Sequence, residues 1–366
     1  MKMRLFTPGP VTVPQNVVDA ASAQPLYHRS PEFMALSRSV WADLQTVFQT
    51  NDPVVVLGGS GMTGIEAAMI AAHAPGEQIV ILEHGRFGQR LTEIARIHGL
   101  VPHVLSVPWG ESITPDLLEN FLNDLLNDLL NDPLNDLRGV WFVHAETSTG
   151  VLLDAGALTS TIRARCPDAV IGMDAVTSIG IHDVKVDAWQ IDMAITGIQK
   201  GLMCPPGLAC VSISERAEQR LLSNPRRSYT LDLHTVLDHQ RDGLFTWTPP
   251  VTLVAALNAA LKRILNEGLD NVWARQAASA EIVRQGARHL GLKLFGASTS
   301  NAVTVIEHHR SNEIRRELRD VHHMLVAGGQ DQLSGKVFRI GTCGSTTPTD
   351  AHEITEALHT VLTHLV

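Results

Sequence analysis

Asp174 and Lys200 are the two residues whose types and spacing most directly suggest chemistry. Asp174 ends the apolar run Ala169-Val170-Ile171-Gly172-Met173, and Lys200 follows a second run, Met193-Ala194-Ile195-Thr196-Gly197-Ile198-Gln199, 26 positions later. An acid and a lysine at the carboxyl ends of two strands of one sheet can converge on a single ligand. The amine condenses with an aldehyde, and a carboxylate beside a pyridine nitrogen keeps that nitrogen protonated, so the ring accepts carbanion electrons. Pyridoxal phosphate is a cofactor whose chemistry needs both groups, with burial lowering the lysine pKa and assisting attack. Taken singly, such an Asp more often caps a turn and such a Lys lies on the surface. The flanks argue otherwise here: Thr196-Gly197-Ile198-Gln199-Lys200-Gly201, followed by Cys204-Pro205-Pro206-Gly207, is a Pro- and Gly-punctuated loop rather than a solvated helix face.

A second feature is the turn Leu57-Gly58-Gly59-Ser60-Gly61-Met62-Thr63-Gly64, which leads into Ile65-Glu66-Ala67-Ala68. Glycines let backbone approach an anion closely, and the free amides of a helix N-terminus favour a phosphate there. Which phosphate is open from the loop alone. Gly59-Ser60-Gly61-Met62-Thr63-Gly64 also satisfies GxGxxG, and Glu83 closes the next strand 19 residues after Gly64, where the ribose-binding acid of a dinucleotide enzyme would sit.

Positioning these loops requires strands that deliver them to one edge. Short apolar, β-branched runs alternate with helical periodicity from about residue 53 to 215, the pattern of βα units feeding a largely parallel, buried sheet. The expected strands are Pro53–Leu57, Gln78–Leu82, Pro102–Val107, Gly139–His144, Ala169–Asp174, Met193–Thr196 and Ala209–Ile213, with helices such as Ile65–His73 and Gln89–Ile97 between them. Residues 249–292 read as helical throughout, a connector into a smaller α+β module with strands at Ala302–Glu307 and Lys336–Ile340. That module also has a helix around Glu313–Leu318 and a last helix from Asp350 capped by Thr349. The expected organisation is an N-terminal arm over 1–20, a large α/β domain over 21–255 and a small α+β domain over 256–366. Leu122-Asn123-Asp124 and the near-tandem Leu125-Leu126-Asn127-Asp128-Leu129-Leu130-Asn131-Asp132 drift against 3.6 residues per turn, and read as a solvated, lengthened helix or loop without catalytic role.

Composition narrows the function class. The 366 residues, 44 % hydrophobic and 18 % charged, describe an ordinary globular protein, and the net charge of −9 without a Lys/Arg cluster argues against a nucleic-acid partner. No apolar stretch reaches the roughly 18 residues of a membrane span, and the start is too short in apolar residues for a signal peptide. Cys166, Cys204, Cys210 and Cys343 form no CxxC pair, which fits a reducing compartment, so a cytoplasmic location is expected. The 17 histidines, His308-His309 and His322-His323 included, show no ligand spacing, and no metal is expected.

Read together, the blocks resemble the class V (fold type I) pyridoxal-phosphate-dependent aminotransferases, the group of alanine–glyoxylate, serine–pyruvate and 2-aminoethylphosphonate–pyruvate aminotransferases. The resemblance runs nearly end to end. It rests on Thr7-Pro8-Gly9-Pro10, Gly59-Ser60-Gly61, Gly85-Arg86-Phe87-Gly88-Gln89-Arg90, His144-Ala145-Glu146-Thr147-Ser148-Thr149-Gly150, Asp174-Ala175-Val176-Thr177-Ser178, Gln199-Lys200 and Phe338-Arg339-Ile340-Gly341. The order of so many blocks outweighs the GxGxxG coincidence. By this resemblance the fold is type I, a large domain with a mostly parallel sheet sandwiched by helices plus a small C-terminal α+β domain.

The same resemblance implies the site. Lys200 carries the Schiff base and Asp174 meets the pyridine nitrogen. Ser60, Gly61, Met62 and Gln199 hold the phosphate, Phe87 stacks on the ring, Val176 is a further cofactor contact, and Thr147 lies beside the phenolic oxygen. Thr248, in Phe245-Thr246-Trp247-Thr248-Pro249, reaches the phosphate of the partner in a homodimer. Many relatives carry tyrosine where Phe245 stands, so one phosphate hydrogen bond worth about 1 kcal/mol is missing or replaced by water. Arg339 grips the substrate α-carboxylate bidentately, with the backbone of Gly9 close by. Arg29, in Leu26-Tyr27-His28-Arg29-Ser30, either receives a second acidic group or is structural.

The implied reaction is ping-pong transfer of an amino group from alanine, serine or a similar donor to a 2-oxo acid such as glyoxylate or pyruvate. Alternatives are a 2-aminoethylphosphonate- or acidic-amino-acid-specific transaminase, or a lyase of the cysteine desulfurase type. The last would need an activated thiol, and nothing in Gly341-Thr342-Cys343-Gly344 marks Cys343 as one.

Overall fold

The computed structural model describes residues 3–129, 136–297 and 299–365. Its larger sheet has seven strands: β2 (Val54–Gly59), β3 (Gln78–Glu83), β4 (Val101–Ser106), β5 (Leu137–Val143), β8 (Val170–Asp174), β9 (Met193–Gly197) and β10 (Gly207–Ser212), in the order β2-β10-β9-β8-β5-β3-β4. All neighbours run parallel except β10, which is antiparallel to both β2 and β9. The hairpin β6 (Ala145–Glu146) and β7 (Val151–Leu152) follows β5 directly. Both faces of the sheet are apolar because helices cover both. On one side lie α1 (Gln15–Ser22), α2 (Pro31–Phe48), α5 (Pro115–Leu129), α6 (Ala155–Arg165) and α9 (Val251–Glu267). On the other lie α3 (Gly61–Ala72), α4 (Arg86–Ile97), α7 (Glu215–Ser223) and α8 (Leu233–Arg241).

A second sheet combines β1 (Arg4–Phe6) with β11 (Lys293–Leu294), β12 (Val303–Glu307), β13 (Met324–Gly328) and β14 (Val337–Gly341), in the order β1-β13-β14-β12-β11. It packs against α10 (Leu269–His289), α11 (Ser311–Asp320) and α12 (Pro348–Leu365). β1 pairs in parallel with β13, Arg4 opposite Met324 and Phe6 opposite Val326, so the first residues cross to the C-terminal sheet. The segment after β1, Thr7 to Pro10, then returns toward the larger sheet, where Val11 N donates to the carbonyl of Gln199.

The seven expected strands of the larger sheet are present, with ends shifted by a residue or two. Two expectations are corrected. The stretch 249–292 is not one helix: Gly268, at φ 84°, ends α9 and starts α10. The last helix begins at Pro348, and its reciprocal cap is made by Thr347 and Asp350, Asp350 N donating to Thr347 Oγ1 at 3.2 Å and Thr347 N to Asp350 Oδ2 at 2.8 Å, rather than by Thr349. The leucine-rich repeat is helical through Leu129, with Leu118, Leu122 and Leu125 buried; its residues 130–135 lie outside the described part. Among the described residues no helix is long and apolar enough to cross a membrane.

The amino edge of the larger sheet is held by a buried acid. Asp192 Oδ2 accepts from Ile171 N at 2.7 Å and from Arg163, while Oδ1 accepts from Ser214 Oγ at 2.8 Å and Arg216 Nη1 at 2.9 Å. One carboxylate thus ties β8, β9 and the cap of α7 together. Asp192→Ala would leave the buried guanidinium of Arg163 without its carboxylate and the Ile171 amide without its acceptor, and is expected to lower unfolding free energy by about 3 kcal/mol, as measured by urea denaturation.

Candidate active site

The parallel strands deliver their carboxyl ends to one edge. Asp174 ends β8 between Val143 of β5 and Ile195 of β9, and Ser60 and Lys200 stand just beyond β2 and β9. A cleft of roughly 170 Å³ opens there. Ser60, Gly61 and Met62 line one part of it, Phe87, Thr147 and Val176 another, and Asp174, Gln199 and Lys200 complete it. Nine residues expected from the sequence therefore share one cleft.

Its electrostatics follow from burial. Asp174 is 4 % exposed, and desolvation pushes its carboxyl up to about 7; the Val176 amide that it accepts at 2.9 Å opposes the shift, and the negative field of Glu146 adds to it. Burial depresses the Lys200 amine from its usual range. Lys200 Nζ donates to the carbonyl of Pro8 at 2.9 Å. The backbone of Gly9 presses so closely on this side chain that a Cβ there would lie 2.2 Å from Cδ and 2.4 Å from Nζ.

The residues present fit pyridoxal phosphate. Ser60 starts α3 in a capping box with Thr63, Ser60 N donating to Thr63 Oγ1 at 3.1 Å, while the amides of Gly61 and Met62 have no carbonyl four residues back, an arrangement that suits an anion. A Cβ on Gly61 would meet Val176 Cγ2 at 2.5 Å, so this loop can approach Val176 only as glycine. The side-chain Oε1 of Gln199 is buried with no hydrogen-bond partner, an amide left facing the cleft. No basic side chain lies within ion-pair distance of Asp174 among the described residues, so its buried charge suits a protonated pyridine.

Arg339 lies in the middle of β14, opposite Val305 and Ala327. It is 7 % exposed and held by carbonyls: Nε donates to Gly328 at 2.7 Å and Nη1 to Thr147 at 2.9 Å. Burial lowers its guanidinium to about 10, and among the described residues it has no acidic partner within ion-pair distance. It adjoins the cleft through Thr147 rather than lining it. Arg29 and Thr248 are not brought to the cleft of their own chain. Arg29 is exposed in the turn before α2; Thr248, also exposed, borders a separate recess with Trp41, Leu57 and Trp247. Phe245 packs its ring on Phe33 and Trp41.

Sequence reasoning quoted three further groups without giving them a role. Arg90 lines the cleft with its guanidinium 4.8 Å from the centre of the Phe87 ring. The Pro8 carbonyl receives Lys200. Glu146 is buried beneath the first turn of α4, and its signal was an acid inside an otherwise small and hydroxylic block. Cys343 is buried, and burial pushes its thiol up to about 11, the opposite of an activated nucleophile. Among the described residues no group of three His, Cys, Asp or Glu is placed to hold a metal ion.

Comparison with known proteins agrees with this arrangement. The family model for aminotransferase class V matches residues 4–328. A protein of Anabaena cylindrica named as a soluble hydrogenase 42 kDa subunit is 33 % identical over 100 % of this chain and 94 % of its own length. An L-aspartate–glyoxylate aminotransferase of Paracoccus denitrificans is 34 % identical, covering 94 % of this chain and 87 % of that one. Among solved structures, an aspartate aminotransferase of subgroup IV from Thermus thermophilus superposes with a TM-score of 0.90 at 31 % identity, over 99 % of this chain and 100 % of that one. The names of the relatives differ, and the family match, which spans the large sheet, the cleft between Ser60 and Lys200 and the small sheet apart from β14, sides with the aminotransferases. With its fold, its cleft and its sequence in agreement, the chain belongs to the class V aminotransferase family.

Proposed function

We propose that this aminotransferase uses pyridoxal phosphate to move an amino group from a small neutral donor, alanine or serine, to a 2-oxo acid such as glyoxylate or pyruvate, as a cytoplasmic homodimer. The observation that carries the reading is the meeting of Lys200 and Asp174 in one cleft with the N-terminus of α3. Bound there, the cofactor supplies a carbonyl carbon for amines and a ring that accepts electrons from the substrate α-carbon.

The chain's own residues do the rest. Ser60, Gly61, Met62 and Gln199 hold the phosphate, and Thr248 of the second copy adds a further contact. Phe87 and Val176 confine the ring, Thr147 meets its phenolic oxygen, and Asp174 holds a proton on its nitrogen. Arg339 and the backbone of Gly9 take the substrate carboxylate, which places the α-carbon before Lys200. With the cofactor bound, Nζ of Lys200 would take the α-proton of the donor, a role that burial favours by making the amine easier to deprotonate. Water would release the donor as a keto acid, its amino group staying on the cofactor, and the 2-oxo acid acceptor would take up that amino group with loss of water.

An acidic donor is the second reading. The Paracoccus relative and the Thermus structure are named for aspartate, and Arg29 stands exposed with no acidic partner among the described residues, free to meet a second carboxylate.

Purified protein supplied with pyridoxal phosphate is expected to show a band near ~420 nm that moves toward ~330 nm with its amino donor, while Lys200→Ala shows no ~420 nm band of its own. L-alanine, L-serine, L-aspartate and 2-aminoethylphosphonate added in turn identify the donor class. A wild-type protein without the band overturns the cofactor assignment.

Asp174 also makes a pH-dependent prediction. Its carboxyl titrates near 7 in the folded apoprotein and near ~3.9 unfolded. A raised folded pKa means stability that is complete below about pH 4 and lost as pH rises through about 7. At pH 8 the Asp174→Asn apoprotein is therefore expected to melt higher than wild type by about 2–5 °C, an advantage that vanishes at pH 4. Saturating pyridoxal phosphate should reverse the order at pH 8, because only the carboxylate neutralises the pyridine proton. Differential scanning calorimetry across pH, with and without cofactor, checks both signs.

A further inference from the structure

Helix α4 carries Phe87 in its first turn but has no cap of its own, since its N-cap residue is Gly85. Its first amides are satisfied from elsewhere. Phe87 N and Gly88 N donate to Glu146 Oε2 at 2.9 and 3.2 Å, and Arg86 N donates to Ser148 Oγ at 3.0 Å. Ser148 in turn gives both of its donors to Glu146 Oε1, the amide at 3.0 Å and the hydroxyl at 2.7 Å. The carboxylate is 0 % exposed and has four donors but no basic side chain within ion-pair distance among the described residues. Gly85 makes room for it: a Cβ there would lie 2.4 Å from Glu146 Cγ and 2.6 Å from Ser148 Oγ.

A buried acid of this kind is a demanding way to cap a helix, since Ser, Asn or Asp at position 85 would do so locally. What the longer route adds is a rigid link. Glu146 precedes Thr147, whose carbonyl takes Arg339, and the same carboxylate fixes the height of Phe87 over the cleft. We propose that Glu146 is the positioning residue of the cofactor ring: by capping α4 from the opposite wall it sets the Phe87 ring against Thr147 and Arg339. The inference rests on the pyridoxal-phosphate reading of the cleft. Glutamine cannot replace it, because its NH₂ would face either the two helix amides or the Ser148 donors.

The test is a double-mutant cycle of Glu146→Gln and Phe87→Leu, read by cofactor affinity of the apoprotein and by circular dichroism in the bound cofactor's visible band. Loss of two charge-assisted bonds is expected to weaken binding about 10–100-fold in Glu146→Gln and to diminish the dichroism. In the Phe87→Leu background the same substitution is expected to cost less than about threefold more, because the ring that it positions is gone. Full multiplication of the two effects would overturn the proposal. Ser148→Ala, which keeps the carboxylate, should give a smaller change in the same direction; if Glu146→Gln does not fold, Ser148→Ala carries the same cycle, and its additivity with Phe87→Leu overturns the proposal equally. Wild-type protein that fails to bind the cofactor would instead sink the cofactor reading, whereas normal wild-type binding with unaltered variants sinks only the role of Glu146.

Discussion

A carboxylate walled in at the end of a central strand, with one backbone amide to solvate it and no cation in bonding distance, is unfavourable in the empty protein and favourable once a cationic ring sits beside it. Asp174 imposes that condition, and much of the architecture serves it. The strand order places β8 at the centre, flanked by β5 and β9, so the acid lies at the deepest point of the sheet edge. The loops after β2 and β9 then bring the helix amides of α3 and the amine of Lys200 to the same point. Stability is given up at one residue, and ligand binding recovers it.

The small sheet and the N-terminal segment complete what the large sheet begins. Arg339 comes from β14, the middle strand of its sheet, and adjoins the cleft by reaching its guanidinium across to the carbonyl of Thr147. From the other direction the Thr7–Pro10 segment lies against Lys200, its Pro8 carbonyl accepting the amine. Lys200 thus sits between residues whose strands belong to different sheets.

The sequence made the large sheet legible because its strands are continuous apolar runs bounded by Gly, Pro or polar residues, a signal that depends on burial on both faces. The lysine, the aspartate and the glycine turn were readable for the same reason: each closes such a run. Thr347 was missed as a cap because Thr349 offers the same side chain two residues on, and only the reciprocal bond with Asp350 distinguishes them. Gly268 escaped because a single glycine in a helical pattern does not declare whether it ends a helix. The role of Glu146 was out of reach for a different reason. Its partners, Phe87 and Gly88, precede it by 59 and 58 positions, and no local pattern reports a cap supplied from that distance.

The pairing of β1 with β13 sets Arg4 beside Met324, some 320 positions away along the chain. That closure bears on biogenesis. The strand Arg4–Phe6 is synthesised some 320 residues before the strand that receives it, and the segment that lies against Lys200 cannot be anchored on that strand until it emerges. The large sheet, whose strands all come from residues 54–212, is free to form long before, so the nascent protein passes through an interval in which the carboxyl edge that carries Asp174 and Lys200 lacks its cover. The order of assembly is therefore scaffold first and enclosure last, with β1 and β13 joined in the closing step.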